Sequence, residues 1–451
     1  MIKLGDAIDS YHELLLDEQL ASEADGQMRG ELRKRGLYFG ERPLCTVLRP
    51  HFYFTDQWSY LQQETEILLR AFGIAHDACM RDSKLRGQLF LEPYEEQLFS
   101  LDINSVVPWT SSRLDSFFQT ERNTLKFVEY NAETPAGMGY GEILGNLFYE
   151  LEPMRRFQEQ FYVYSMPTLG TLLESLMRGY GEWGGKEFPQ IAIADWQDVP
   201  TLNEHEICRQ YFERGGVRAI LVDPRALEYH DGYLWAGDYR VDIIYKRVLI
   251  SEMIQRMGVD NPIVHAVRDR AVMMTNSFSA KLMAKKASFA FLSDERNANL
   301  FTAEQLRVIH EHIPWTRVVS ERKTVYQNKT VDLLDFITER REQFVLKPND
   351  EYGGKGVMLG WEASLDDWNE TLQQALTTPF VVQERVSSVT RDFPSIVDGR
   401  VDFSPRYVDA DPYVFYGRTV YGCMTRLSSV SLLNVTAGGG SVVPTFLLAR
   451  K

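Results

Sequence analysis

Residues 345–357 read VLKPNDEYGGKGV, and this stretch limits the fold more than any other. Its apolar start makes a short strand that delivers Lys347. Pro348 then stops the strand, because proline has no N–H for a sheet ladder. A polar turn leads into Gly353, Gly354, Lys355 and Gly356. Glycine reaches φ > 0 at little cost, so backbone N–H groups in such a loop can close on an anion. The lysine at the strand end adds a fixed positive charge beside it, and the combination points to a triphosphate. It is not a P-loop, since Lys355 is followed by Gly356 rather than Ser or Thr. The same residues also suit a glycine-rich surface turn.

The chain has 451 residues, more than one core usually serves, so two or three lobes are expected. Its net charge of −14 disfavours nucleic acid and anionic membrane surfaces as partners. A nucleotide would need a local cluster of cations and a divalent metal. Cys45, Cys79, Cys208 and Cys423 are scattered without a C-x-x-C pair, which argues for a reducing, cytoplasmic setting over a disulfide framework. The amino terminus, MIKLGDAIDSYHELLL, carries acids where a signal peptide would be apolar. Val430 opens a long uncharged run, but Asn434, glycines and Pro444 interrupt it, as in a strand–loop–strand rather than a membrane span. His310 and His312 are two apart on an expected helix, a poor metal pair.

Residues 1–90 read mostly helical, with Leu61, Ile67, Leu68 and Phe72 on one face of a helix over 58–76. Three strands, Ile191–Ala194, Ala219–Val222 and 241–245, surround a helix that Thr201 opens with Glu204 as capping-box partner. That is a small βαβ unit with a parallel sheet. Its last strand ends in Lys246-Arg247, which suits a substrate carboxylate and equally a solvated strand end. Thr302 with Gln305, Thr330, and Ser364 with Asp367 are further expected helix starts. The last seventy or so residues read as strands, over 401–403, 406–408, 420–427 and the carboxyl-terminal apolar run.

Upstream, residues 127–134 read FVEYNAET. Strand alternation puts Glu129 and Asn131 on one face. A carboxylate and an amide oxygen side by side suit Mg²⁺, which shares its shell with phosphates. Arg113 and Asp115 form another same-face pair, and a hairpin through 121–123 would bring Asp115 to Glu129. An ordinary two-stranded surface is the alternative. In GCMTRLSS, Arg426 stands in an apolar strand and needs an anion, either a ligand or a core carboxylate such as Asp409 or Asp411. The loop NVTAGGGS, residues 434–441, follows it. The strand over 380–382 ends in Gln383-Glu384, where backbone groups can meet an adenine edge and a carboxylate can meet ribose.

Taken together, these residues resemble an ATP-grasp ligase in circularly permuted form, since the Glu129-x-Asn131 segment precedes Lys347. The resemblance covers roughly residues 95–451 and is similar to the glutathionylspermidine synthase group and the type 2 permuted proteins. SRLD with FVEYNAETP implies Asp115, Glu129 and Asn131 as Mg²⁺ ligands and Arg113 on the acyl phosphate. VLKPNDEYGGKGV implies Lys347 on phosphates, with Gly353, Gly354, Lys355 and Gly356 as a lid. VVQE implies Gln383 and Glu384 at the adenine hinge, and GCMTRLSS implies Arg426 near the phosphates. Lys323 is taken as the first ATP lysine, with Lys286 as the alternative.

The resemblance implies an α/β ATP-grasp fold. Residues 1–94 form a helical segment, 95–150 the metal-binding part, 185–275 a βαβ substrate lobe, and 280–451 the ATP-binding lobes. It also implies an ATP- and Mg²⁺-dependent ligase that joins a small-molecule or peptide carboxylate to an amine through an acyl phosphate. The amidase domain of the synthetases has no counterpart here, and AETPAGMGYGE is closer to the type 2 proteins, so the substrates do not carry over. A phosphotransferase and a non-catalytic nucleotide-binding scaffold remain open.

Overall fold

The computed structural model describes residues 3–102, 107–430 and 440–451. Strands from opposite ends of the chain build one nine-stranded sheet. Its main path runs Val389–Val397, Arg400–Val408, Thr419–Ser428, Asp411–Phe415, Ser111–Gln119, Thr124–Asn131. The carboxyl-terminal strand Ser441–Arg450 pairs with Thr419–Ser428 and takes His51–Phe54 and Phe161–Tyr164 on its other side. The expected hairpin forms: Arg113 lies opposite Asn131 and Asp115 opposite Glu129, with a bulge after Asp115. The long helix Thr55–Arg81 buries Leu61, Ile67, Leu68 and Phe72 behind this sheet. Phe72 meets the Tyr130 ring at 4.6 Å, so the helix packs on the reverse face of the Glu129 strand.

The βαβ unit is a four-stranded parallel sheet ordered Met273–Thr275, Ile243–Lys246, Ile191–Ala194, Ala219–Val222. From Ile191–Ala194 the chain steps to one side, returns, and continues on the other, so the strand order reverses there. Thr201 precedes the helix Leu202–Arg214 but makes no side-chain cap. Glu204 does not close the expected box. Its buried carboxylate accepts from the backbone N–H groups of Gly137 (2.7 Å) and Gly139 (3.0 Å) instead. Donors at another helix end outcompete the local cap once the carboxylate is buried.

A third sheet, four-stranded and antiparallel, runs Thr316–Val318, Phe380–Glu384, Phe344–Pro348, Met358–Leu359. Leu346, Val382 and Trp368 fill its core beneath the helices Leu333–Glu339 and Leu365–Ala375. Ser364 caps the second helix as expected, and Thr302 with Gln305 forms the capping box of the helix Ala303–His312. Thr330 is no cap: it lies in the strand Lys329–Asp332, and Asp332 precedes the helix. Its hairpin partner Lys323–Tyr326 draws it into a ladder. The four cysteines are buried and unpaired. Among the described residues no helix is long and apolar enough to cross a membrane.

Gly360 ends the Met358–Leu359 strand where the backbone turns back against the start of the Lys347 strand. A Cβ there would meet the Arg341 carbonyl oxygen at 1.9 Å and that of Phe344 at 2.8 Å. Backbone cannot yield as a side chain does. Gly360→Ala is expected to destabilise the chain by about 3 kcal/mol, the upper end of overpacking costs, read as a lower urea midpoint.

Candidate active site

The late lysine strand and the early Glu-x-Asn strand meet in one cleft. Lys347 Nζ donates to Gln383 Oε1 (2.8 Å) and to the Val128 carbonyl (3.4 Å), the residue before Glu129. Lys286 Nζ lies 3.1 Å from Glu129 Oε1 and also donates to the Glu351 carbonyl. The backbone around Lys286 is clamped to the root of the glycine loop: Lys286 N donates to Asn349 O (3.0 Å) and Ala287 N to Asn349 Oδ1 (2.9 Å). Burial pushes the Lys347 ammonium down to about 8, and Glu129 only partly restores it. Lys323 is elsewhere, exposed at the start of the Lys323–Tyr326 hairpin strand opposite Asp332. Of the two lysines weighed for the first ATP contact, Lys286 is the one beside Glu129.

Asp115 sits between two guanidiniums. Arg113 Nε donates to its Oδ1 (2.8 Å), Arg113 Nη2 (3.2 Å) and Arg426 Nη2 (2.7 Å) to its Oδ2, and Asn131 Nδ2 to its Oδ1 (2.8 Å). Burial raises the Asp115 carboxyl, but the two arginines more than offset that and hold it below its usual range. Arg426 also lies 2.6 Å from Asp409 and 3.0 Å from Asp411. Its core carboxylates are therefore Asp409, Asp411 and Asp115 together. Burial, then the neighbouring carboxylates, pushes Asp409 and Asp411 up.

This arrangement tests which residues suit a metal. Both oxygens of Asp115 are taken by cations and by Asn131. Among the described residues, Glu129 Oε2 and Asn131 Oδ1 receive no hydrogen bond. A carboxylate and an amide oxygen with open lone pairs, beside further buried carboxylates, fit a hard cation that keeps some water. Asp115, as it stands, orients the arginines and Asn131. A second acidic group, Glu64, Glu311 and His312, is already occupied by Arg307, which lies 3.1 Å from Glu64 and 2.5 Å from Glu311.

Gly353, Gly354 and Gly356 all have positive φ, at 66°, 75° and 70°. The loop's root is pinned, because Asp350 lies 2.6 Å from Lys281 and 3.1 Å from Lys285. Its tip reaches the parallel-sheet lobe, where the Tyr352 hydroxyl donates to Glu252 (3.1 Å). Lys355 is exposed and pairs with Glu351 at 3.3 Å.

Gln383 is buried between Lys347 and Thr316. Glu384 accepts from the Tyr326 hydroxyl (2.8 Å). The expected open amides at this strand end are not open: Glu384 N donates to Trp315 O (2.8 Å) and Arg385 N to Gln343 O (2.7 Å). Phe380–Glu384 is an inner strand, flanked on both sides, so the ladder consumes them. Residues 434–439 of the second glycine loop lie outside the described residues.

Among the charges behind the cleft, Glu95, Glu133, Lys281 and Lys285 are the ones that sequence reasoning passed over. Glu133 accepts from Lys281 Nζ (2.8 Å) and from Ile250 N (2.6 Å), with Lys246 at 3.7 Å, and Lys285 lies 2.9 Å from Glu95. The signal was available as Lys281, Lys285 and Lys286 in a largely uncharged stretch. Such charges, when buried, must be paired.

No protein-family profile matches the chain. It is 26% identical over 235 residues to "Putative glutamate--cysteine ligase 2-2" of Frankia casuarinae, covering 49% of this chain and 25% of that relative. The match thus spans about a quarter of the relative's length. An uncharacterized protein of Mycobacterium tuberculosis H37Rv is 22% identical over 447 residues, covering 91% of this chain and 75% of the relative. Among solved structures, the apo form of GSS30, a glutathione synthetase-like effector of Globodera pallida, superposes with a TM-score of 0.61 at 12% identity. That match covers 96% of this chain and 98% of the effector, so the two share a mixed α/β fold.

The depressed Lys347 ammonium makes a stability prediction. Between about 8 and its ordinary 10.5 the unfolded chain binds more protons than the folded one. Stability from this group therefore rises with pH through that window and is lowest below it. In Lys347→Met the contribution is gone. The stability of Lys347→Met minus that of wild type should fall by roughly 1–3 kcal/mol from about pH 7 to about pH 10 in urea unfolding. A flat difference would mean that Lys347 carries no such strain.

Proposed function

We propose that the chain is an ATP-dependent carboxylate–amine ligase on a circularly permuted ATP-grasp scaffold. The observation that carries this reading is the meeting of Glu129 and Asn131 with Lys286 and Lys347 in one cleft. The names of the similar proteins, a glutamate–cysteine ligase and a glutathione synthetase-like effector, support it at the level of amide-forming ligases.

In the proposed reaction a substrate carboxylate oxygen attacks the γ-phosphorus of ATP. The P–O bond to the β-phosphate breaks and ADP leaves. An amine then attacks the acyl carbon, inorganic phosphate departs, and the amine gives up a proton. Charge neutralisation is the main requirement, because negative charge builds between two anions. Lys286 and Lys347 supply cations at one wall of the cleft. Arg113 and Arg426 supply them at the other, held in place by Asp115, Asp409 and Asp411. Arg426 Nη1 makes no hydrogen bond among the described residues, so a donor remains for the transferring group. Glu129 and Asn131 would hold Mg²⁺, which when bound shields the phosphates. The loop of Gly353, Gly354 and Gly356 would close over the nucleotide, with Lys355 outside and Glu384 toward the ribose.

The test is phosphate release from ATP with pooled amino acids, peptides and polyamines. Release should need both an acid and an amine and vanish on Mg²⁺ chelation. Phosphate appearing on a recovered co-substrate would instead mark a phosphotransferase. Lys286→Met and Lys347→Met should each lower kcat roughly 100- to 1000-fold, the usual cost of one lost donor in a water-excluded site. Lys323→Met should stay within about twofold. The reverse order of effects would return the first ATP contact to Lys323.

A further inference from the structure

The parallel sheet holds a buried cation that the mechanism above does not use. Arg247 follows the strand Ile243–Lys246, and its backbone N donates to Ala194 O (2.9 Å) at the end of Ile191–Ala194. The chain therefore ties together the carboxyl ends of the two strands between which the order reverses. In open parallel sheets this crevice is the usual ligand position.

The side chain is 7% exposed. Its polar contacts are the Tyr245 hydroxyl at 3.4 Å and the Thr134 carbonyl at 3.5 Å, both at the limit of a hydrogen bond. It also stands over the Tyr245 ring at 5.3 Å. Among the described residues no carboxylate pairs with it. Lys246, one residue earlier, donates to Val248 O (3.2 Å) and faces Glu133 at 3.7 Å. One of two adjacent buried cations thus has a direct carboxylate partner, and the other has only the longer-range fields of Glu204 and Asp195, which favour its charge. A guanidinium taken out of water without an anion is expensive, and a planar fork fits a carboxylate best.

Carboxylates of the opposite role stand nearby. Glu204 Oε2 is buried without a hydrogen bond, and Asp195 carries the next strand end. Neither forms an ion pair with Arg247, so its planar fork is left for a ligand carboxylate, and a ligand ammonium would match Glu204 or Asp195. The crevice adjoins the transfer site, because the carbonyl of Ala136, two residues past Thr134, accepts from Arg113 Nη1 (2.9 Å).

We propose that Arg247 anchors the main-chain carboxylate of an amino-acid or short-peptide substrate at this crevice. The proposal rests on the ligase reading for what is then done to that molecule.

The experiment uses the full chain and calorimetric titration. The probes are free amino acids and dipeptides, each beside its carboxamide, with and without Mg²⁺ and a non-hydrolysable ATP analogue. At least one free acid should bind wild type while its carboxamide does not. Arg247→Gln should weaken that acid roughly 10- to 100-fold and leave the affinity for the ATP analogue unchanged. Its ligand-free Tm should stay close to that of wild type, since no direct ion pair has been removed. The proposal is overturned by equal binding of acid and carboxamide, by an unweakened acid in Arg247→Gln, or by a panel in which nothing binds. Competition from the ATP analogue or inorganic phosphate would assign the guanidinium to the nucleotide. An Arg247→Gln chain that fails to fold would reveal a structural partner and sink the idea. Failure of wild type to bind the ATP analogue would remove the ligase reading and leave the anchor standing.

Discussion

The carboxylate of Asp115, gripped by Arg113 and Arg426, is the interaction on which the rest of this structure depends. The arginines are more than three hundred positions apart, and they arrive on different strands of the nine-stranded sheet. Burying such charges costs several kcal/mol each unless partners satisfy them. Here Asp409 and Asp411 complete the set, so every guanidinium has carboxylates and the cluster closes on itself. A sheet register that slipped by one residue would turn these side chains to the other face and strand them unpaired. The cluster therefore specifies how the two ends of the chain pair, whatever its net contribution to stability.

The same cluster shapes the chemistry. Its carboxylates outnumber its arginines, and Glu129 adds another just beyond it. Beside Glu129 stand Lys286 and Lys347, the latter held half-buried on Gln383 and short of full compensation. Cations set beside an acid-rich cluster would suit a polyanion with its metal, as the proposed reading requires. Lys347 is tolerated at a cost, which the proposed anionic ligand would offset in a stability–function trade-off of the usual kind.

Much of this was legible in the sequence where local chemistry is strong. Pro348 ending a strand, the alternation of Glu129 with Asn131, and the caps at Thr302 and Ser364 depend on near neighbours, and they formed as written. The misses share a cause. Val389–Val397 contains Pro394, which weakens a strand signal, yet as an edge strand it pairs only with Arg400–Val408, where proline is admissible. Asp411–Phe415 is five residues long and buried throughout, so it has no alternation to read. Glu204 sat in a good capping-box position but was recruited by Gly137 and Gly139, over sixty positions away. Lys286 beside Glu129 is likewise a long-range fact, and spacing alone could not choose between it and Lys323.

Residues 131–139 explain how the lobes can act together. Asn131 reaches Asp115, Glu133 joins Lys281 to the Ile250 helix end, and the Thr134 carbonyl faces Arg247. The Ala136 carbonyl holds Arg113, and the Gly137 and Gly139 amides hold Glu204. Gly137 is needed there: φ is 107°, and a Cβ would meet the Tyr413 hydroxyl at 2.5 Å. Nine consecutive residues thus touch Asp115, Arg113, Glu204, Arg247 and Lys281. The parallel sheet and Asn131 are thus joined through backbone carbonyls and amides that no side-chain motif would reveal.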